Sequence, residues 1–176
     1  EKISLEFEID HYLHDHTEKV MNTILSKRTY SLLVVDDNAQ ITSLLENILS
    51  DKYVVHKASS GKNALAILED ERIDLVVSDI LMPDMNGLSL CKKIKENIQT
   101  SHIPVILLTA KAEIENRIEG LQVGADSYIP KPFHPEHLFI RIEKLIERME
   151  LIRKKFQNFA EVELLQLSPG ISERDD

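Results

Sequence analysis

Cysteine is nearly absent from this sequence: Cys91 is the one cysteine in 176 residues, so the chain cannot form an internal disulfide. The sequence also lacks any run of about 20 apolar residues, the length that crosses a lipid bilayer, and no signal-peptide pattern opens it. These absences favour a cytoplasmic chain that makes no membrane contact. We expect Cys91 itself to be a small, buried helix residue and not a redox group.

Positive charge is in short supply as well. Lysine and arginine together number 21, against 30 aspartates and glutamates, which leaves a formal net charge of -9. Nucleic-acid affinity depends largely on basic residues placed at the phosphates. The composition therefore disfavours direct nucleic-acid binding by this chain, while its hydrophobic content of 43% is ordinary for a folded globular domain.

Short, apolar, often β-branched runs recur along the middle of the chain, and they are typical of strands buried on both faces of a parallel sheet. Helical patterns separate them, and this β-α alternation occurs five times. The pattern predicts a doubly wound, flavodoxin-like α/β fold with a five-stranded parallel sheet in the order 2-1-3-4-5. The predicted strands cover residues 32–35, 53–56, 75–79, 105–108 and 126–129.

Four of these predicted strands lead directly into a chemically useful side chain. In open α/β sheets the loops at the carboxyl ends of the strands form the ligand-binding crevice. Right-handed crossovers bring these ends to one edge of the sheet, so we expect the side chains there to face one another. They are Asp36 and Asp37 after the first strand, Asp79 at the end of the third, Thr109 after the fourth and Lys131 after the fifth.

Three carboxylates at one sheet edge repel one another unless a cation is present. Like charges about 4 Å apart cost roughly 4 kcal/mol at an effective dielectric constant of about 20. Oxygen ligands without a neighbouring cysteine or histidine suit Mg2+. A carboxylate nucleophile, a metal and the ammonium of Lys131 together indicate a phosphoryl-transfer centre. Helix capping is the simpler explanation for Asp36 or Asp37, but two adjacent acids exceed that need.

At this point several short motifs, taken in order, resemble the receiver domain of two-component response regulators. The resemblance extends from Tyr30 to Arg148. Each motif alone is unspecific, whereas the ordered set at receiver-like intervals is specific. The motifs are Asp36-Asp37, Ser78-Asp79 followed by Met82-Pro83 and Asn86-Gly87, Leu108-Thr109-Ala110, and GADSYIPKPF at residues 124–133.

The resemblance implies that Asp79 accepts a phosphoryl group from a phosphohistidine of a sensor histidine kinase. It also implies that Asp37 and Asp79 bind Mg2+ directly. Asp36 would act through water, and the backbone carbonyl of Leu81 would be a further ligand. Lys131 would pair with a carboxylate at rest and with a phosphoryl oxygen afterwards. The family has a cis bond after the equivalent lysine, and we expect one after Lys131.

The same resemblance implies a conformational switch. Thr109 is expected to hydrogen-bond the phosphoryl group and shift inward, and Tyr128 is expected to follow into the vacated space. This movement would change the surface of the fourth helix, the fifth strand and the last helix, and so control an output domain. The alternative for Tyr128 is an ordinary core residue of a strand.

The last predicted helix is longer than a receiver needs. From about Pro135 its apolar residues follow alternating steps of four and three, which is a heptad repeat. Leu138, Ile142 and Leu145 are expected to pack on the sheet. The later apolar residues predict a homodimer seam or a packed linker, in preference to a frayed tail. These later residues are Met149, Ile152, Phe156 and Phe159.

The resemblance divides the chain into three parts. We expect residues 1–29 to be an extension from an upstream domain and residues 30–148 to be the receiver. Residues 149–176 are expected to be a helical extension and linker towards an output domain outside this chain. The first residue is Glu1 and not methionine, which suggests a piece of a longer protein.

The first part of the chain has features of its own. Residues 3–9 alternate in polarity like a half-buried strand, and apolar residues between 20 and 25 have helical spacing. His11, His14 and His16 are competent metal ligands, but a polar linker is the favoured interpretation because no second ligand pair matches them.

Three classes of function compete. The first is a phosphoacceptor in a longer signalling protein, either a response regulator or, as the strand pattern and long last helix favour, a hybrid sensor histidine kinase. The second is a Mg2+-dependent phosphohydrolase of the haloacid dehalogenase type, which needs a second acid two positions after a nucleophile on its first strand. Asn38 stands two positions beyond Asp36. The third is a receiver-shaped dimerisation scaffold that is never phosphorylated.

Overall fold

The sheet has the architecture predicted from the sequence. In the computed structural model of the chain, residues 28–110 and 123–167 are described, with side-chain surroundings as far as Phe159. The strands are β1 (Ser31–Val35), β2 (Val54–Ala58), β3 (Leu75–Asp79), β4 (Val105–Ala110) and β5 (Ser127–Lys131). They form one five-stranded sheet in the order β2-β1-β3-β4-β5, and every neighbouring pair is parallel.

Three of the described helices begin at polar caps. Asn38, predicted to cap the first helix, accepts a hydrogen bond from the Gln40 N–H, at 2.9 Å. Ser60 and Asn86 cap two further helices in the same way. Such caps satisfy backbone N–H groups that have no partner within the helix. The helices are α1 (Ala39–Leu49), α2 (Gly61–Asp70), α3 (Gly87–Glu96) and α4 (Pro135–Leu167).

The sheet separates two apolar layers. On one face, Leu45 of α1 and Ile142 of α4 pack against the strands. On the other face, Ala64 of α2 and Leu90 of α3 do so. All residues of β3 are buried, as expected for a strand covered on both faces. Cys91 lies in α3 and is fully buried, which confirms the prediction of a small, buried helix residue.

The second strand begins one residue later and ends two residues later than predicted. β2 starts at Val54 because the Tyr53 N–H still bonds to the Leu49 carbonyl at the end of α1, at 2.9 Å. It continues to Ala58 because it pairs along the whole length of β1. The predicted range of 53–56 was therefore wrong at both ends.

The fifth strand is also displaced towards the C-terminus. It starts at Ser127. The preceding Asp126 bonds to Val105 twice, since its carboxylate accepts from the Val105 N–H and its own N–H donates to the Val105 carbonyl, both at 2.9 Å. It runs through Pro130 to Lys131. β5 lies at an edge of the sheet, where a strand tolerates proline. The bond between Lys131 and the following proline is cis, as expected.

The last helix extends well past the sheet, as predicted. α4 has 33 residues. Leu138 and Ile142 are fully buried, whereas Phe156 and Phe159 further along are 71% and 74% exposed. The heptad face therefore begins as core and continues as an uncovered apolar stripe. Within the described ranges, none of the helices combines the length and apolarity needed to cross a membrane.

Several predicted features lie outside the described residues, and they stay predictions. They are the strand pattern at 3–9, the cluster His11, His14 and His16, the helical pattern at 20–25, the helix with apolar residues between 114 and 121, and the linker at 168–176.

Candidate functional site

The carboxyl ends of β1 and β3 bring three acidic side chains together. One carboxylate oxygen from each of Asp36, Asp37 and Asp79 lies within 4.8 Å of the other two. Asp36 and Asp79 are buried, with 2% and 7% of their surface exposed, while Asp37 is open to solvent. The three acids meet because β1 and β3 are adjacent parallel strands, whose carboxyl ends share one edge of the sheet.

The ammonium of Lys131 lies between two of these carboxylates. Its Nζ is 2.9 Å from an Asp79 oxygen and 3.4 Å from an Asp36 oxygen. Burial raises the pKa of Asp79 despite the opposing effect of Lys131, and the charge of Asp36 adds to the rise. Burial by itself would lower the pKa of Lys131, but its contacts with Asp79 and Asp36 outweigh burial and raise it. Lys131 is therefore charged at neutral pH, and within the described ranges it is the cation that contacts this acidic cluster.

The turn after β3 holds the backbone of Asp79 against the start of α3. The Gly87 N–H donates to the Ile80 carbonyl, at 2.9 Å. A Cβ at position 87 would lie 2.1 Å from the Asp79 carbonyl oxygen, so this close approach requires glycine. Asp84 has a positive φ of 66° in the same turn. The Ser78 hydroxyl also donates to the Asp79 carbonyl, at 2.9 Å.

Asp36 uses both of its carboxylate oxygens. Oδ1 accepts a hydrogen bond from the Asn38 N–H, at 2.9 Å, and Oδ2 accepts one from Lys131, at 3.4 Å. The N-cap of α1 is Asn38 and not Asp36 or Asp37. Helix capping therefore does not account for the acidic pair.

Thr109 and Lys131 reach the same edge of the sheet from β4 and β5. Thr109 is buried, with 4% of its surface exposed, and its hydroxyl donates to the Ala110 carbonyl, at 3.2 Å. Tyr128 is in register with Leu107 and packs, half-buried, against the core cluster that contains it. Thr109 follows Leu107 by two residues and so shares its face of the sheet. Tyr128 and Thr109 therefore lie on the same face of the sheet, on neighbouring strands.

The donor set of the acidic cluster fits Mg2+. The cluster consists of carboxylates, without cysteine or histidine, which is the ligand chemistry that Mg2+ prefers. Exposure of Asp37 leaves room for water, which Mg2+ usually retains. Leu81, two residues beyond Asp79, has 58% of its side chain surface exposed at the rim. Asp36, Asp37 and Asp79 are the side chains that would hold the ion.

A second cluster of charged residues lies at the amino ends of β1 and β3, on the side of the sheet away from the acidic site. Sequence reasoning missed it. The Arg28 guanidinium is 2.8 Å from an Asp74 oxygen and 3.6 Å from a Glu150 oxygen. The Ser31 N–H also donates to Asp74, at 2.9 Å. The sequence does place Asp74 directly before a buried strand, which could have marked it as a partner for a basic residue. That partner, Arg28, is 46 residues away.

Comparison with known proteins supports the assignment suggested by this geometry. The profile of the family "Response regulator receiver domain" matches residues 32–143. Histidine kinase P4 of Formosa agariphila is 38% identical over 141 residues, which are 80% of this chain and 10% of that protein. Transcriptional regulatory protein CpxR of Klebsiella pneumoniae is 38% identical over 148 residues, 81% of this chain and 62% of that protein. The chain therefore spans only part of these relatives.

Solved receiver domains share the fold. A response regulator receiver domain protein from Methanospirillum hungatei superposes with a TM-score of 0.66 at 32% identity, covering 70% of this chain and 98% of that one. The comparisons give no support to the phosphohydrolase or scaffold alternatives. With most of its length matched by the family profile and its fold shared with solved members, the chain belongs to the response regulator receiver domain family of two-component signalling.

Proposed function

We propose that Asp79 is the phosphoacceptor of this receiver domain. Receiver domains are phosphorylated by histidine kinases, and a kinase phosphohistidine is the proposed donor. The observation that carries the proposal is the position of the Asp79 carboxylate, within the acidic cluster and 2.9 Å from Lys131. A carboxylate oxygen attacks phosphorus, and the new P–O bond forms as the P–N bond to imidazole breaks.

Asp36, Asp37 and Asp79, with the backbone carbonyl of Leu81, are the proposed Mg2+ ligands. When bound, Mg2+ supplies positive charge that offsets the negative phosphoryl oxygens. Lys131 adds a second positive charge at the same place. Its ammonium already contacts Asp79, so it needs little movement to reach an oxygen of the acyl phosphate.

Thr109 and Tyr128 are the proposed switch. The Thr109 hydroxyl donates to a neutral carbonyl at 3.2 Å, which is long for an O–H donor. A charged phosphoryl oxygen is a stronger acceptor, so phosphorylation draws Thr109 inward. Tyr128 then moves into the space behind it. This changes the surface made by β5, α4 and the predicted helix before β5, through which an output domain is controlled.

We also propose the arrangement of the longer protein. The receiver occupies residues 30–148, between an extension at 1–29 and a helical extension at 149–176. Relatives include a histidine kinase and a transcriptional regulator, and the strand pattern at 3–9 favours a hybrid kinase. The proposed location is the cytoplasm.

The exposed stripe on α4 is the proposed homodimer contact.

Incubation with acetyl phosphate and Mg2+, followed by intact-mass measurement, tests the phosphoacceptor. We expect a Mg2+-dependent gain of one phosphoryl group in the parent and none in Asp79→Asn. The matched control is Asp84→Asn, which removes an exposed carboxylate from the turn after the site and should be phosphorylated like the parent.

Three results would contradict the proposal. Absence of any adduct, with no phosphate released, would indicate a scaffold. Release of phosphate with repeated turnover of many small phosphate esters would indicate a hydrolase. A phosphoryl group retained in Asp79→Asn would assign the acceptor to another residue.

A further inference from the structure

A cleft of about 510 Å3 lies beside α4, near the start of β1 and β2. The cleft is therefore at the amino ends of the strands, whereas the acidic site is at their carboxyl ends. Tyr30 and Tyr53 line one side, and Ile146 and Leu151 of α4 line the other. Most of the surface that faces the cleft is apolar, although lysine and glutamate side chains border it. Leu151 is 61% exposed. A cleft of this kind favours an apolar occupant.

The chain enters the described structure at this cleft. Arg28 lies between Asp74, at 2.8 Å, and Glu150, at 3.6 Å, and its guanidinium lies 5.3 Å from the centre of the Tyr30 ring. Glu150 and Tyr30 both line the cleft. These contacts hold Arg28, the first described residue, at the cleft wall.

The segment before Arg28 can reach the cleft, and its sequence predicts an apolar face. Leu25 is three residues upstream, and three residues of extended chain span at most about 11 Å. Val20, Met21, Ile24 and Leu25 have the helical spacing that places apolar side chains on one face.

Charge does not oppose this occupant. The cleft is lined by charges of both signs, which are Glu143, Glu147, Glu150, Lys52 and Lys154. The segment likewise carries both signs close to its apolar residues, at Glu18, Lys19 and Lys27. Because the tether at Arg28 is short, the local concentration of the segment is on the order of millimolar, and an intrinsically weak contact is enough.

We propose that this cleft is the docking groove for residues 20–25 of the same chain. The segment packs its apolar face on Tyr30, Tyr53 and Leu151, and so joins the upstream part of the protein to the helix that leads downstream. The proposal does not depend on phosphorylation of the acidic site.

The groove leaves the heptad stripe of α4 available. At 3.6 residues per turn, Glu147 and Leu151 lie on roughly the opposite side of the helix from Ile152 and Phe156. The segment at 20–25 and a second copy of the chain therefore bind different faces of α4.

A nitroxide on a cysteine at position 22 tests the docking in the full chain. Asn22→Cys places the label on the polar side of the helical pattern, and buried Cys91 is shielded from the reagent. We expect the amide NMR signals of Tyr53, Glu147 and Leu151 to lose most of their intensity. The loss should persist when labelled chains are diluted with an excess of unlabelled ones, because the contact is within one chain.

Substitutions in the segment provide the control. Ile24→Asp with Leu25→Asp should restore the signals, whereas Ile98→Asp, at a residue 91% exposed elsewhere, should leave them quenched. Signals that are never quenched would overturn the proposal. Quenching that disappears on dilution would show that a second copy occupies the groove, and would overturn it as well.

Discussion

The carbonyl oxygen of Asp79 has no space beside it for a side chain at position 87. The contact arises because the Gly87 N–H bonds to the Ile80 carbonyl, at 2.9 Å, which draws the start of α3 against the end of β3. A Cβ there would meet backbone at 2.1 Å. Backbone atoms in a sheet cannot move aside as a flexible side chain can.

Gly87→Ala should therefore destabilise the protein by roughly 1–3 kcal/mol, the cost of overpacking. Urea unfolding measures this. Gly61→Ala is the matched control, because its Cβ would meet the side chain of Met85, at 2.7 Å from the sulfur. Met85 can change rotamer, so the control should lose less. Equal losses would show that the approach to Asp79 is not what restricts position 87.

Tyr30 offers a residue-scale test of the cluster opposite the acidic site. Burial and a hydrogen bond to Glu150 raise the pKa of Tyr30 to about 12. In the unfolded chain a tyrosine ionises near pH 10. Between these values the folded state holds a proton that the unfolded state has lost, so stability falls as pH rises.

The stability advantage of the parent over Tyr30→Phe should therefore shrink between about pH 8 and about pH 11. Chemical denaturation at both pH values measures the difference. Tyr53, whose pKa is also raised to about 12, is present in both proteins and cancels. A difference that does not change with pH would contradict the contact between Tyr30 and Glu150.

Among the elements, α4 has two environments along one face. Its heptad residues are buried as far as Leu145 and become exposed from Ile152 onwards, where 48% of the surface is open. Large apolar side chains in regular heptad positions are costly in water and are stabilised by a second helix. The element thus carries an uncovered apolar stripe, which is the surface of the proposed homodimer contact.

Phe156→Glu with Phe159→Glu should raise the dissociation constant of the homodimer by about tenfold or more, a loss of about 1.4 kcal/mol or more. Sedimentation equilibrium measures it. Ile140→Glu, in the same helix and 55% exposed, is the control and should have little effect. A parent protein that stays monomeric at every concentration would rule out the proposed seam.

For the molecule as a whole, the acidic cluster is a source of instability that a cation relieves. Three carboxylates lie together, those of Asp36, Asp37 and Asp79. Among the described residues, the cation in contact with them is Lys131. A ligand that binds only the folded state adds stability by mass action.

Mg2+ at about 100 times its dissociation constant should add about 2.7 kcal/mol to the free energy of unfolding. Thermal denaturation with and without Mg2+ measures this. Asp37→Asn should lose most of the gain, while Asp84→Asn, outside the cluster, should keep it. A gain that is the same in both variants would place Mg2+ elsewhere.

Much of this organisation was predictable from local sequence. Apolar runs such as 105–108 specify buried strands, and the handedness of βαβ crossovers then leaves few strand orders. Proximity at one end of the sheet was predictable for four residues, because each lies at or directly after the carboxyl end of a parallel strand. They are Asp36, Asp79, Thr109 and Lys131. Strand ends were less predictable, since Tyr53 and Asp126 make bonds that no local pattern reveals.

The sequence by itself determined the fold class and the strand order, because both follow from local periodicity and general rules of chain topology. The tertiary structure alone decided how Arg28, Asp74 and Glu150 meet, and why position 87 must be glycine. These contacts join residues far apart in sequence, or depend on how closely two backbone segments approach each other. Such distances are set by the packing of the whole domain.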